Sequence, residues 1–557
     1  MRSSIRHYFV VSILMLLVIV LVYRLMHLTI QDRSFLQNKS AMHSLRMREI
    51  PVRRGNIYDR NDKLLAASVM SESLWINPKD FVATKKDYKK ISDIIGVKVN
   101  VLANKVKANK AKEFIYLKRH MAPRDVAKVK IMHLAGVNFQ KEYKRYYPDT
   151  EILAHLVGVT DIDDIGQEGL ELSYNRFLQG KKGKKVITLD RLGRTISEGD
   201  IIEKAVEGKD LHLSIDRGIQ YVAYSELMRG AEVAGASSAS VVVMDIATGE
   251  VLSLANYPSY NPNDKGPIAP NVRRNRAVTD LFEPGSTMKP FSLLYALDSN
   301  KYHMDDKVYI GNGEIKVDGN TIHDAHVYDR SLSLTEIIKY SSNVGIVKVM
   351  MKLSPDGFID RLRSYGFGEM PGSGFPGEAR GGLPASINPG SIDHASISYG
   401  YGVSASLLQL MKAYRALLTG GNKEISLLRL DAKNAVLNNR SGDKNVTIIK
   451  NILGDVTSDG TGKRAKVKGF KVAGKTGTSN VSSKFGYDKD KYIASFIGFA
   501  PLEKPKYLVG VVLWNPDYSY RYGGKSAAPI FANIMRHLLV FKNKNNFLSN
   551  NDEVSYN

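Results

Sequence analysis

From Tyr8 to Tyr23 the chain carries no charged residue, and its apolar character resumes through Leu25, Met26, Leu28 and Ile30. The aliphatic stem of Arg24 lets its charge reach a headgroup, so the run offers about twenty residues, the length of helix that crosses a bilayer. Arg2, Arg6 and the terminal amine precede it, which favours an N-terminus on the cytoplasmic side; Arg24, Arg33 and Lys39 follow, so the asymmetry is modest. A cleaved signal peptide needs small residues at its exit, yet no alanine occurs before Ala41 and no glycine before Gly55. The expectation is a cytoplasmic tail over 1–7, an uncleaved signal anchor over 8–30, and export of everything beyond.

A chain of 557 residues has room for two or three domains, and its 43% hydrophobic and 24% charged shares are ordinary for globular protein. It has no cysteine, which excludes disulfides, cysteine-ligated zinc, thiol catalysis and a lipoprotein site. The formal charge of +23 raises the question of nucleic acid. The lysines and arginines are spread along the chain without a zinc finger, an RNP motif or a basic-region heptad, so no nucleic-acid partner is expected. A basic surface near anionic lipid and wall polymer accounts for the charge.

Apolar Ile50 and Val52, then Ile57, then Leu64 and Leu65 around Asn61-Asp62 read as strand, turn and strand. The Arg54-Gly55-x-Ile57-x-Asp59-Arg60 core between them reads as structural salt links. Residues 79–141 look helical and lysine-rich, with Pro123 suited to a first helical turn. The run 179–185 reads as a solvated turn, since no strand precedes it and P-loop spacing is absent. Beyond Lys209, Asp216 is placed to cap a helix from Arg217 to about Ala231. Residues 239–246 and 251–255 make a hairpin around Ala247-Thr248-Gly249-Glu250. Further strands are expected at Val472-Ala473, 492–500 and 507–514, with helical tracts at 334–353 and 407–418. Strands at both ends with helices between them give a large domain built on an antiparallel sheet. After about Leu539 the Lys/Asn-rich tail looks disordered.

In Glu283-Pro284-Gly285-Ser286-Thr287-Met288-Lys289-Pro290, Pro-Gly breaks the preceding structure and leaves Ser286 at a helix start. Lys289, three residues on, shares its face, so a nucleophile stands beside a possible base. A second Ser-x-x-Lys match, Ser441 to Lys444, lies in a polar stretch and reads as a loop. Among several Ser-x-Asn matches, Ser341-Ser342-Asn343 falls between two apolar helical runs, where a short connection points side chains into a cleft. Lys475-Thr476-Gly477-Thr478 continues a strand; Gly477 lets a ligand lie on the backbone, and Lys475, Thr476 and Thr478 would face an anionic group. The twelve histidines show no His-Glu-x-x-His spacing and no triad pattern; His323, His326 and His394 read as ordinary polar residues, and neither metal nor cofactor is needed.

The three elements, in order at 286, 341 and 475, form a known signature of penicillin-binding proteins and class A β-lactamases. The chain resembles a class B penicillin-binding protein of the division-specific, FtsI type. The likeness runs through the anchor, the 54–60 segment, Arg145-Tyr146-Tyr147-Pro148, Gly166-x-x-Gly169-x-Glu171 and Asn256-x-Pro258-Ser259-Tyr260-Asn261-Pro262. It continues in Glu283-Pro284-Gly285-Ser286, Tyr399-Gly400-Tyr401-Gly402 and Tyr522-Gly523-Gly524. Asn343 favours the division subtype, because elongation-specific relatives more often carry Asp there. Val403-Ser404-Ala405-Ser406 departs from the Thr-Pro usual in the family, which bears on the shape of that loop.

The resemblance implies an α+β multidomain chain: the transmembrane helix, an elongated pedestal of the dimerisation type over 31–208, a transpeptidase domain over 209–541, and a disordered tail over 542–557. It implies a D,D-transpeptidase that cross-links D-Ala-D-Ala stem peptides of lipid-linked nascent strands, is inhibited by β-lactams, and sits in the bacterial inner membrane with its catalytic domain in the periplasm, at the septum. Ser286 would take the acyl group, Lys289 would act as base with Lys475 nearby, Ser341 would relay a proton and Asn343 would hold the substrate amide. Lys475, Thr476, Gly477 and Thr478 would bind the substrate, and the N–H groups of Ser286 and Thr478 would form the oxyanion hole. A polytopic glycosyltransferase and other division proteins are the implied partners. An elongation-specific enzyme, a carboxypeptidase or β-lactamase-type hydrolase, and a membrane-anchored β-lactam sensor or scaffold are the competing readings. The large N-terminal module argues against the small soluble hydrolases, and the intact motif residues argue against a dead scaffold.

Overall fold

The structure, a computed structural model, describes residues 2–31, 45–189, 195–264, 266–421, 424–430, 443–483 and 486–551. The chain forms two compact units and passes between them repeatedly. Residues 1–54, 69–144 and 179–208 belong to the smaller unit; 55–68, 145–178 and 209–557 belong to the larger. The expected boundary at 208/209 is thus only the last of several crossings. Its neighbours cross because Ile57, Leu65, Ala66, Leu156, Leu170 and Leu178 are buried in the core of the larger unit.

In the smaller unit a helix spans Arg2–Met26, continued by a π-helical turn, His27–Gln31. Residues 7–30 have a mean hydropathy of 2.7 and none of that stretch is buried, which fits a single-pass membrane anchor. A three-stranded antiparallel sheet places Gly183–Leu189 between Leu45–Ile50 and Thr195–Glu203. The run 179–185, expected as a solvated turn, therefore enters a central strand at Gly183. Lys184 and Lys185 are tolerated there because Glu203 and Glu198 lie 2.9 and 2.7 Å from their amines on the neighbouring strand.

The lysine-rich stretch 79–141 is helical only in part, over Lys85–Ile95, Val99–Ala108 and Pro123–Lys130. A Thr84/Asp87 capping box starts the first of these, and Pro123 opens the third. Strands Ile115–Met121 and Val137–Tyr146 interrupt the helices. Ile115, Leu117 and Met121 alternate into a core with Ile91, Ile95 and Val126, a period of two that the intervening lysines hide.

Beyond Lys209 the larger unit continues with α1, Arg217–Val233, whose N-cap Asp216 accepts from Gly218 and Ile219 N–H at 3.0 and 3.1 Å. The hairpin of β1 (Ser238–Asp245) and β2 (Val251–Tyr257) follows. Next come α2 (Lys289–Asp298), α3 (Leu334–Lys339), α4 (Asn343–Met350), α5 (Leu407–Thr419) and α6 (Lys444–Ser458). The strands β3 (Ala473–Ser483), β4 (Gly486–Ala500) and β5 (Tyr507–Trp514) precede the C-terminal helix α7 (Ala527–Asn551). The sheet is antiparallel throughout, in the order β2-β1-β5-β4-β3.

Alternate residues of the same strands feed two apolar clusters. Val241, Val243, Val509 and Val511 pack with α1 and α7; Val242, Met244, Leu508 and Val512 pack with α2 and α5. The edge strand β3 carries the site.

Three local expectations change. α7 continues through the start of the supposed disordered tail to Asn551, since neither Pro nor Gly interrupts a lysine-containing stretch; residues 552–557 lie outside the described residues. Lys444, read as part of a loop, begins α6 behind an Asp443 cap, with Ile449, Ile452 and Leu453 buried; Ser441 lies outside the described residues. The Val403–Ser406 segment starts α5 without a proline, because Ser406 accepts from Gln409 N–H at 3.2 Å.

Two motif segments are structural. Asp59 is buried and accepts from the N–H groups of Asn61, Lys63 and Arg217 at 2.7, 2.8 and 3.0 Å. Arg145 and Glu171 form a buried pair at 2.6 Å.

Candidate active site

Pro284 and Gly285 turn the chain into the N-terminus of α2. Gly285 has φ +54°, and a Cβ there would sit 3.0 Å from the Thr478 carbonyl oxygen, so the position demands glycine twice over. Its N–H donates to Gly400 O at 3.1 Å. Ser286 lies in a 3₁₀ turn, Gly285–Met288, and Lys289 N–H donates to the Ser286 carbonyl. At three residues per turn the side chains of Ser286 and Lys289 stack on one side. Thr287 Oγ1 donates to Pro284 O, and Tyr414 Oη to Thr287 O, both at 2.7 Å, fixing the turn to its surroundings. Ser286 is half-buried; Lys289 is wholly buried.

Ser341 occupies the short connection between α3 and α4. A Ser333/Glu336 capping box starts α3, and Ser342 caps α4 by accepting from Gly345 N–H at 2.8 Å. Between them Ser341 has φ +61°, a left-handed conformation that costs a serine about 1–2 kcal/mol. The surroundings hold it there. Asp324 accepts from Ser342 Oγ at 2.6 Å, from Val344 N–H at 3.0 Å and from Asn343 N–H. Asn343 Nδ2 donates to His323 O at 3.0 Å. Asp324 is thus a positioning residue absent from the sequence reading, and His323 enters the site through its carbonyl.

The third contributor is β3, where Lys475 pairs with Ile497 and Thr476 with Phe496 of β4. Strand alternation roots Lys475 on one face and Thr476 and Thr478 on the other, yet the Lys475 amine bends back to 3.5 Å from Thr476 Oγ1. The same amine lies 2.9 Å from Ser341 Oγ and 3.2 Å from Thr476 O. Thr476 Oγ1 meets Thr461 Oγ1 at 3.0 Å, and Thr478 Oγ1 accepts from Gly523 N–H at 3.3 Å. A Cβ on Gly477 would lie 2.9 Å from Thr287 Cγ2 and 3.0 Å from Pro284 O, so only glycine lets β3 lie against the Ser286 turn.

These placements join four residues in one network. Lys289 Nζ donates to Ser341 O at 2.5 Å and to Asn343 Oδ1 at 2.8 Å, and lies 3.2 Å from Ser341 Oγ. The Ser341 hydroxyl therefore bridges two buried amines. Burial pushes Lys289 down to about 7, against the pull of the Asp324 charge in the other direction. Lys475 is pushed well down by its burial and then by the Lys289 charge. Two ammonium groups on one hydroxyl would repel without solvent between them. With one amine neutral, Ser341 can donate to it and accept from the other.

Residues 239–536 match the family model of the penicillin-binding protein transpeptidase domain, and residues 49–213 that of the penicillin-binding protein dimerisation domain. The chain is 36% identical to the probable peptidoglycan D,D-transpeptidase PbpC of Pseudomonas aeruginosa, over 96% of this chain and 94% of that protein. It is 37% identical to the probable peptidoglycan D,D-transpeptidase PenA of Neisseria gonorrhoeae, over 96% and 92%. To the peptidoglycan D,D-transpeptidase FtsI of Escherichia coli it is 32% identical, over 95% and 92%. Among solved structures, penicillin-binding protein 3 of Mycobacterium tuberculosis, complexed with aztreonam, superposes with a TM-score of 0.67 at 26% identity, covering 89% of this chain and 97% of that one. With sequence likeness over nearly its whole length and both family domains in place, the chain belongs to the class B penicillin-binding proteins and is a peptidoglycan D,D-transpeptidase.

Proposed function

We propose that this enzyme cross-links stem peptides in the septal wall through an acyl-enzyme on Ser286. The observation that carries the reading is the bridging of Lys289 and Lys475 by Ser341, because a serine hydroxyl is a poor nucleophile without a neutral base beside it. Lys289, pushed down to about 7, accepts the Ser286 proton as Oγ attacks the penultimate D-Ala carbonyl. Ser341, hydrogen-bonded to both amines, passes the proton towards the departing D-Ala. The N–H groups of Ser286 and Thr478 stabilise the oxyanion, a contribution of about 3–4 kcal/mol per donor in comparable sites. The packing of Gly285 against the Thr478 carbonyl supports that pairing. Thr476, Gly477 and Thr478 receive the terminal carboxylate along β3, with Lys475 behind them. Asn343 holds the substrate amide. An amine of a second stem peptide then takes the acyl group.

The division role draws on the likeness to E. coli FtsI and on Asn343. An aspartate in place of Asn343, 2.8 Å from the Lys289 amine, would hold that amine protonated. The N-terminus lies inside, and the catalytic unit lies in the periplasm, where a polytopic glycosyltransferase and other division proteins would dock on the smaller unit.

Labelling membranes with fluorescent penicillin tests the site. Wild type gives a stable band and Ser286→Ala gives none; labelling retained in the variant removes Ser286 from its role, and rapid release of hydrolysed penicillin by wild type removes the transpeptidase reading. Imaging of the tagged enzyme separates septal from lateral synthesis.

A further inference from the structure

Glu283, three residues before the nucleophile, takes no part in the network above. Its backbone carbonyl accepts from Ser479 Oγ at 3.0 Å, and its Oε1 accepts from Gly402 N–H at 2.9 Å and from Tyr487 Oη at 3.1 Å. Its Oε2 is shielded from solvent and has no hydrogen-bond partner among the described residues. No ion pair among the described residues includes this carboxylate, although the protein is strongly basic. Burial accordingly pushes its pKa up. Tyr487 leads into a run of tyrosine rings: Tyr401 and Tyr487 have centroids 5.3 Å apart and Tyr399 and Tyr401 5.4 Å, and burial, then to a smaller extent the Glu283 charge, raises all three phenols. Tyr487 is 49% exposed, so this wall of the carboxylate borders solvent.

A desolvated carboxylate that meets no cation among the described residues and lies beside a run of tyrosine rings is a receptor for an ammonium group. The reaction supplies one. Its second substrate is a primary amine that arrives protonated and must reach the ester on Ser286. We propose that Glu283, with Tyr399, Tyr401 and Tyr487, binds the ammonium of the acceptor stem peptide, which displaces the Tyr487 hydroxyl from the carboxylate. The assignment rests on Ser286 as the acylated residue.

The protons balance. One leaves the ammonium for the Glu283 carboxylate, making a free amine and a carboxylic acid. The amine nitrogen forms its bond to the acyl carbon as the bond from that carbon to Ser286 Oγ breaks. The second proton lost by nitrogen passes through Lys289 to Ser286 Oγ and restores the hydroxyl. Glu283 then returns its proton to solvent.

Glu283→Gln keeps an acceptor for Gly402 N–H and Tyr487 Oη and removes only the charge. The full chain in detergent is given a D-alanyl thioester donor and a lysine-bearing tripeptide acceptor, and aminolysis is measured against hydrolysis on the acyl-enzyme that forms. The expected result is a roughly ten- to hundred-fold fall in the aminolysis-to-hydrolysis ratio of the variant, the worth of a hydrogen bond to a charged group. In wild type, the same tripeptide trimethylated on its side-chain amine is expected to compete with the acceptor while hydrolysis continues. A variant ratio within about twofold of wild type, loss of acylation itself in the variant, or no competition by the trimethylated peptide would each overturn the proposal. A wild-type enzyme whose acyl group maps elsewhere than Ser286 would instead overturn the site on which it rests.

Discussion

The two faces of the five-stranded sheet in the larger unit are made from alternate residues of the same strands, yet they bury different things. Towards α1 and α7 the contents are Val241, Val243, Val509, Val511, Phe496 and Phe531, packed as apolar core. Towards α2 and α5 the same strands meet Leu407, Met411 and Phe291, but also the buried cations Lys289, Lys475 and Arg415. The cations differ in what surrounds them. Arg415 donates to the carbonyls of Ile246 and Ala247 at 2.9 and 3.0 Å, a set of acceptors that suits a guanidinium that stays charged. Lys289 and Lys475 share one hydroxyl, and among the described residues neither has a carboxylate in direct contact. A buried cation with its own acceptors is structure; two amines on one hydroxyl are chemistry, because the cheapest relief is to give up a proton.

Breaking the active face should cost the most. Lys289→Met removes the proposed base and is expected to slow acylation by penicillin about 10²- to 10⁴-fold, measured by stopped-flow with a fluorescent β-lactam. Methionine needs no solvation, so the variant should be as stable as wild type or more so near neutral pH. In the native protein Lys289 loses its proton near 7 rather than at 10.5. Between those values the unfolded chain binds a proton that the native one does not, so wild type loses stability as pH falls from about 10.5 towards 7, and the variant should lack that contribution.

Asp324→Asn should cost less, about ten- to hundred-fold in acylation, as charge-assisted bonds to the Ser341 loop weaken. It should also sharpen the comparison, since removing the Asp324 charge shifts the acid limb of the pH profile downward. An unchanged limb would detach Asp324 from Lys289. On the opposite face, Phe531→Ala is expected to lower unfolding stability by about 3–5 kcal/mol in denaturant titration while leaving the acylation rate of the folded protein nearly unchanged. A large loss of rate in the folded variant would mean that the faces are not separable.

Much of this was legible along the chain where the signal is local. The Asp216 cap, the 238–257 hairpin and the Ser286–Lys289 turn each declare themselves within a few residues. Asp324 does not, because its partners Ser342, Asn343 and Val344 are remote in sequence and nothing around it sets it apart from any turn aspartate. The strand Ile115–Met121 was hidden for a related reason: surrounding lysines imitate the solvent face of a helix, and only burial shows the period of two. That Lys475 and Thr476 root on opposite faces of β3 follows from strand alternation; that the Lys475 amine still returns to 3.5 Å from Thr476 Oγ1 does not, because it depends on how a long side chain bends. The division of the chain into units was the least legible, because it depends on which core Ile57 and Leu170 enter.

The central claim is that a buried, neutral lysine activates Ser286. The pH dependence of the second-order acylation rate constant in wild type tests it most directly. A rate that falls as pH drops through about 7, where Lys289 takes up its proton, is the expected result. A limb near the ordinary lysine value of 10.5, or a rate independent of pH between them, would contradict it.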